Sequence, residues 1–234
     1  NLGFNRPDDK NNVIENYKII GNAIGFDYKN CVAAKQTHET NIHIADYSDI
    51  GKGITCETDL IGIDGMVTNK ENIVLVTYHA DCVPLFFVDK KNKAIGLAHA
   101  GWRGTVNSMA AKMIQKLNEV YGSDPKDIQA AIGPSIGMCC FEVGKEVCDE
   151  FLQKHSFAKD FVVKCDYDND KYKIDLWGIN KKIMIQNGIP EENIQVTNLC
   201  TKCHPQLFYS HRNQGNERGS LAAFLMLEKQ PGEF

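Results

Sequence analysis

The sequence predicts a single domain of the α+β class, a mixed α/β architecture with mixed sheets and packed helices. Three observations carry this. Short apolar runs of strand character are interspersed with longer amphipathic runs along the whole chain. Glycines or polar turns close most of these runs. No internal repeat, low-complexity tract or linker divides the 234 residues, and a chain of that length can bury one full core.

Residues 1–12 are polar and turn-rich, and read as a loop or frayed arm. Val13–Ile24 carries apolar residues at helical spacing and stops at Gly25. Cys31–Gln36 is a short strand leading into Thr37-His38-Glu39. Residues 46–64 read as an extended loop that ends in an Asp64-Gly65 turn. Strands follow at Ile73–Tyr78, Val83–Val88 and Ala94–Ala98, the last two joined as a hairpin through the polar residues 89–93. Thr105 reads as the N-cap of a helix whose stripe is Val106, Met109, Ala110, Met113, Ile114, Leu117 and Val120, ending at Gly122.

Ile128–Ile132 is a strand entering Gly133-Pro134-Ser135. Val143–Leu152 is a second amphipathic helix, with Val143, Val147, Phe151 and Leu152 on one side. Tyr172–Leu176 reads as a strand, Trp177–Asn187 as a helix stopped by Gly188, and Ile194–Leu199 as a strand. From Cys200 onward come a Cys/His-containing loop, a short strand, a polar turn and a last apolar element.

Composition narrows the function classes. A 43% hydrophobic and 24% charged chain is ordinary for a soluble globular protein. A net charge of -4 without a basic run argues against nucleic acid as a partner. No apolar run approaches the ~20 residues of a membrane span, and no signal-peptide pattern is visible. The nine cysteines are odd in number, irregularly spaced and include one adjacent pair, which fits a reduced, cytoplasmic chain. The chain opens on Asn1, so further residues are expected ahead of it.

The chemistry concentrates between Ile73 and Thr105. Cys82 heads one strand and His99 ends another, seventeen residues on, and a hairpin can bring them side by side. Two readings compete. Cys82 is a thiolate nucleophile with His99 as its base, or both are metal ligands that need a third protein ligand. His38 is the best third ligand because Gln36-Thr37-His38 also closes a strand beside a polar loop, although spacing alone does not choose it over His79 or His204. A His/Cys/His set suits Zn²⁺ or copper.

The loop Gly101-Trp102-Arg103-Gly104-Thr105 runs from a strand into a helix N-terminus. Free N–H groups and the Arg103 guanidinium there favour an anion. Cys200-Thr-Lys-Cys203-His204 matches the spacing for covalent haem, but nothing indicates the export that such attachment needs. A second zinc at Cys200, Cys203 and His204 is a minor alternative to a plain loop, and Cys139-Cys140 reads as structural.

These blocks together resemble the laccase-domain, or polyphenol oxidase, family, whose members are also known as purine nucleoside phosphorylases. The resemblance rests on Gln36-Thr37-His38, Asp64-Gly65, Ala80-Asp81-Cys82-Val83-Pro84, His99-Ala100-Gly101-Trp102-Arg103-Gly104-Thr105, Ile132-Gly133-Pro134-Ser135-Ile136-Gly137, Cys200-Thr201 and Phe208-Tyr209-Ser210 with Arg212. It implies a metal triad at His38, Cys82 and His99, and a fold similar to a toxin's Cys-His deamidase domain. It also implies phosphorolysis of adenosine, inosine, guanosine and methylthioadenosine, with adenosine deaminase activity, by a monomer or homodimer. The partners so implied are purine nucleosides and phosphate. The residues expected to serve them are Cys82, His99, Asp81 and Arg103 in catalysis, and Gln36, Gly101, Gly104, Thr105, Ser210 and Arg212 in substrate binding. His79 departs from the family's more common Thr, and His211-Arg212 and Glu217-Arg218-Gly219 depart from its arginine pattern.

A multicopper oxidase needs several coppers held through His-x-His pairs, and this chain has seven histidines and no such pair. One zinc with an open position instead activates water, as deamination requires. Phosphorolysis needs an anion cradle, for which the Gly101–Thr105 loop with Arg103 is the candidate, and Asp81 is a candidate supporting carboxylate or proton carrier. The alternatives are a Cys82/His99 thiol hydrolase, a single-copper polyphenol oxidoreductase and a non-enzymatic binding module.

Overall fold

In the computed structural model, which describes residues 1–168 and 170–228, the N-terminal segment is packed rather than frayed. The Leu2 amide donates to the Ser220 carbonyl, and Phe4 stacks on the buried Tyr17. Asp9 then caps helix α1 (Lys10–Ile24), accepting from the Asn11 amide, so the helix starts three residues before the apolar pattern does. Gly25, at φ 89°, ends it in the left-handed conformation that favours glycine.

Next in chain order come β1 (Cys31–Ala33), β2 (Asn41–Ile44), β3 (Ile63–Thr68), β4 (Val74–His79), β5 (Val83–Asp89) and β6 (Ala94–Ala100). Helices α2 (Trp102–Val106) and α3 (Met109–Tyr121), strands β7 (Ile128–Ile132) and β8 (Glu142–Gly144), and helix α4 (Lys145–Lys154) follow. Strands β9 (Val162–Lys164) and β10 (Lys171–Ile174), helix α5 (Leu176–Gln186), β11 (Ile194–Val196), α6 (His211–Gln214) and β12 (Leu221–Met226) complete the order.

The main sheet has the order β11-β7-β5-β6-β3-β2, with β5–β6 as the expected hairpin, and a three-stranded sheet β1-β4-β12 packs on it. A small sheet, β8-β10-β9, stands apart. Four layers result. Val13 and Tyr17 of α1 cover Val74 and Val76 on one face of β4. Ile73 and Leu75 on its other face meet Met66, Ile95 and Leu97 between the two sheets. The far face of the main sheet takes α3 and α5. Along β6 the side facing α3 is nearly bare: a Cβ on Gly96 would lie 2.6 Å from Met113 Cε. Ile95, Leu97 and His99 share the opposite side, facing the second sheet.

Several elements differ from the sequence expectation. Asp64-Gly65 is not a turn but the middle of β3, where Gly65 makes room for Met109 and Met113 and Asp64 points towards the inter-sheet space. Thr105 is not an N-cap. The helical turn already starts at Gly101, and the chain breaks at Ser108 (φ 61°) before α3 begins. Val120 is exposed, and so is Leu152. Val143 belongs to a strand, Leu176 opens a helix, and the segment around Phe208 is loop followed by the single turn α6. The last apolar element is β12, which zips antiparallel onto β4.

Candidate active site

Strand ends build the site. His99 lies at the end of β6 on the inter-sheet side, Cys82 directly before β5, and His38 in the loop after β1. His99 and Cys82 are brought together by the hairpin, since His99 pairs with Pro84. One donor atom from each of His38, Cys82 and His99 lies within 4.8 Å of the others. The two imidazoles meet edge to face, with ring centroids 4.9 Å apart.

Asp64 organises this cluster, a role the sequence did not disclose. Its Oδ1 accepts from His99 Nδ1 at 2.8 Å and from the His38 amide at 3.1 Å, and its Oδ2 from the Thr37 and Glu39 amides. Holding Nδ1–H this way fixes the His99 tautomer and leaves Nε2 free for a ligand or proton. His38 sits at φ 65°, an uncommon conformation for a non-glycine residue, which these hydrogen bonds secure. Although burial raises the Asp64 pKa, the bond from His99 and the amides hold it below the ordinary carboxylate value.

Burial also pushes the Cys82 thiol up, but the neighbouring His99 and His38 outweigh it and bring it to about 6. For His99, burial lowers the pKa, while Cys82 and Asp64 raise it to about 9. Both shifts favour a thiolate–imidazolium pair in the metal-free chain. Gly101 leaves room for it. A Cβ there would stand 3.0 Å from Cys82 Sγ and 3.1 Å from His38 Cδ2.

His79 is accounted for by the protein. Its Nδ1 donates to the Cys82 carbonyl at 3.1 Å and its Nε2 faces the Thr77 hydroxyl at 2.8 Å. Burial and the nearby His99 keep it neutral, with a pKa well below the ordinary value. It buttresses the site and has no nitrogen left for a metal. His204 lies elsewhere, bonded through Nδ1 to the Cys200 carbonyl.

The cluster forms part of the wall of a cleft of about 1420 Å³, which Gln36, Asp81, Gly101, Trp102, Arg103 and Arg212 also line. Gln36 is fully engaged: its amide spans the Tyr78 backbone, donating to the carbonyl and accepting from the N–H. Asp81 (φ 87°) accepts from the Thr201 hydroxyl and the Arg212 amide, each at 2.7 Å. Both its oxygens hold loops in place, which favours a positioning role over proton transfer. Gly104, Thr105 and Ser210 are buried and do not line the cleft. The Thr105 hydroxyl accepts from Asn180 Nδ2 at 2.9 Å, tying α2 to α5.

Arg103 is exposed, with its guanidinium 4.3 Å from the Trp102 ring centroid. Two further cations, Arg6 and Arg218, face the cleft. Arg218 Nε is buried without a hydrogen-bond partner, and burial and Arg6 lower its pKa. Among the described residues none of the cleft arginines Arg6, Arg103, Arg212 and Arg218 forms an ion pair, and these four outnumber the two carboxylates, Glu57 and Asp81, that line the same cleft.

The donor set suits a single metal. Two imidazoles and a thiolate match a three-ligand site with an open position, and the Asp64 bond to His99 supplies the usual outer support. Apart from a four-cysteine cluster, no other grouping of such donors is found among the described residues, so nothing in it matches a multicopper centre.

The family model for multi-copper polyphenol oxidoreductase laccase matches residues 1–228. Purine nucleoside phosphorylase YlmD of Bacillus subtilis is 35% identical over 230 residues, spanning 98% of this chain and 82% of that protein. Purine nucleoside phosphorylase LACC1 of Homo sapiens is 32% identical over 96% of this chain and 50% of its own length. The crystal structure of YlmD from Geobacillus stearothermophilus superposes with a TM-score of 0.91 at 32% identity, covering 98% of this chain and 85% of that one. The chain belongs to the laccase-like polyphenol oxidoreductase family, whose similar curated members carry the name purine nucleoside phosphorylase.

Proposed function

We propose that the protein is a zinc-dependent purine nucleoside phosphorylase acting on adenosine, inosine, guanosine and methylthioadenosine, with adenosine deaminase activity at the same centre. The observation that carries this reading is the convergence of His38, Cys82 and His99 within 4.8 Å at a cleft with unpaired arginines. The cleft exceeds the ~300–1,000 Å³ typical of small-molecule sites, so a nucleoside and a phosphate can share it. The relatives' names support the purine nucleoside phosphorylase part of this reading.

His38, Cys82 and His99 would hold the ion, with Asp64 orienting His99. A zinc bound there acts as a Lewis acid and lowers the pKa of a coordinated water. The chain's own residues do the rest. Arg103, and Arg212 elsewhere on the cleft wall, supply donors for phosphate, where the negative charge of the nucleophile is held against the sugar. Asp81 fixes the backbone that presents Cys82, and Trp102 offers an aromatic face to the purine.

Incubation with adenosine, with and without phosphate, tests the proposal. Adenine appearing only with phosphate reports phosphorolysis, and inosine in either case reports deamination. Neither product from the zinc-loaded chain would refute it.

One observation favours a second reading. Without metal, Cys82, His99 and Asp64 have the order and hydrogen bonding of a nucleophile–base–orienter triad, with Cys82 already poised as thiolate. Metal analysis separates the two, because stoichiometric zinc occupies the thiolate.

A further inference from the structure

We propose that Cys139, Cys140, Cys200 and Cys203 form a second metal site, a structural tetrathiolate that binds one zinc ion. This is independent of the nucleoside reading, and it involves none of the residues assigned to the first centre.

The four Sγ atoms all lie within 4.8 Å of one another. Cys203 Sγ is 3.6 Å from Cys139 Sγ and 3.4 Å from Cys140 Sγ. A tetrahedral ion with Zn–S bonds of ~2.3 Å sets its sulfurs ~3.8 Å apart, close to these separations. A disulfide would require ~2.05 Å, and all four cysteines are free thiols. Cys200 and Cys203 have the Cys-x-x-Cys spacing common in zinc sites, and an all-sulfur set of four favours zinc over hard cations such as Mg²⁺. Four protein donors leave no open position, so the site is structural.

The backbone brings the two halves together at one end of the sheet edge, where the adjacent parallel strands β7 and β11 both run out. Cys139-Cys140 lies in the loop after β7, and Cys200–Cys203 in the loop after β11. A parallel bridge joins Ser135 to Cys200, with Ser135 N donating to Leu199 O and Thr201 N to Ser135 O. Gly137 permits the approach. A Cβ there would meet Cys139 Sγ and Cys200 Cβ at 3.4 Å and Trp177 at 2.9 Å. His204, in the sequence the more natural companion of Cys200 and Cys203, is turned to the Cys200 carbonyl and is not part of the cluster.

The position suggests what the ion would do. Thr201 and Arg212 are the two donors to the Asp81 carboxylate, and Arg212 Nη1 also donates to the Cys140 carbonyl at 3.1 Å. Coordination would cross-link both loops behind the cleft wall, and the thiols would release their protons to solvent as zinc binds.

The test counts zinc in chains purified under reducing conditions. A His38→Ala/His99→Ala variant cannot hold the first ion and should retain about one zinc per chain. Adding Cys139→Ser and Cys203→Ser should abolish it. Cobalt in place of zinc should give the strong charge-transfer and tetrahedral d–d bands of a tetrathiolate. A metal-free His38→Ala/His99→Ala chain, or a mass two hydrogens low from a disulfide among these cysteines, would overturn the proposal. Should that variant not fold, zinc X-ray absorption on the wild-type chain decides. Two zinc ions with a sulfur-rich average shell support the site, and a single ion with mainly nitrogen ligands refutes it.

Discussion

Replacing Asp64 by Asn probes how the fold holds its proposed metal. The carboxylate accepts four hydrogen bonds: from His99 Nδ1 and the His38 amide on one oxygen, and from the Thr37 and Glu39 amides on the other. An amide has one oxygen, so whichever way it turns, its NH₂ faces two N–H donors. Two bonds to a charged acceptor are lost at ~1.5–3 kcal/mol each, partly offset because the buried charge is gone as well. A net destabilisation of about 2–4 kcal/mol follows from those terms. Metal affinity should fall ~10–100-fold, the usual cost of losing a partner behind a ligating histidine, or about 1.4–2.8 kcal/mol. Competition of zinc against a chromophoric chelator reads the affinity, and urea unfolding of the metal-free protein reads the stability. A dissociation constant within twofold of wild type would refute the idea that Asp64 orients His99 for a metal.

Three further outcomes are expected. In the metal-free chain, alkylation of Cys82 by iodoacetamide should rise as pH rises through about 6, where its proton is lost to the pair with His99. Zinc should suppress that reaction, and a midpoint near 9, measured by mass spectrometry of the modified peptide, would show that no such pair exists. Gly101→Ala places a methyl 3.0 Å from Cys82 Sγ and 3.1 Å from His38 Cδ2, while the backbone at φ -64° tolerates alanine. Zinc affinity should therefore drop about tenfold with stability changed by less than ~1 kcal/mol, as isothermal titration and thermal melts would show. Arg103→Ala should raise the phosphate concentration needed for half-maximal phosphorolysis and leave deamination intact, and equal loss of both activities would remove the phosphate role.

Much of the scaffold was legible because packing follows local pattern. The alternation Ile95, Leu97, His99 places the histidine on the same side as two core residues, which is where the structure has it. The α3 stripe from Met109 to Leu117 is buried as its spacing indicates. The break at Ser108 was not legible, since apolar spacing runs straight through it from Val106 to Met109. Asp64 and Gly65 were misplaced for a related reason. Both residue types are depleted in strands, and here tertiary demands override propensity: Asp64 serves the 37–39 loop and His99, and Gly65 yields to two methionines. Asp64 was visible as part of a family motif but not as an orienting carboxylate. The four-cysteine cluster escaped because its halves lie about sixty residues apart in sequence, and the pairing of β7 with β11, continued by the bridge at Ser135 and Cys200, joins them.

The most direct measurement compares the zinc-loaded wild-type chain with its His38→Ala variant on adenosine and phosphate. His38 belongs to the three-donor set, whereas in a Cys82–His99–Asp64 thiol mechanism it is neither nucleophile, base nor orienter and only helps to lower the Cys82 pKa. Phosphate-dependent release of adenine and ribose 1-phosphate by the wild type, lost with the bound zinc in His38→Ala, is the predicted result. Undiminished turnover by a zinc-free His38→Ala chain would contradict it.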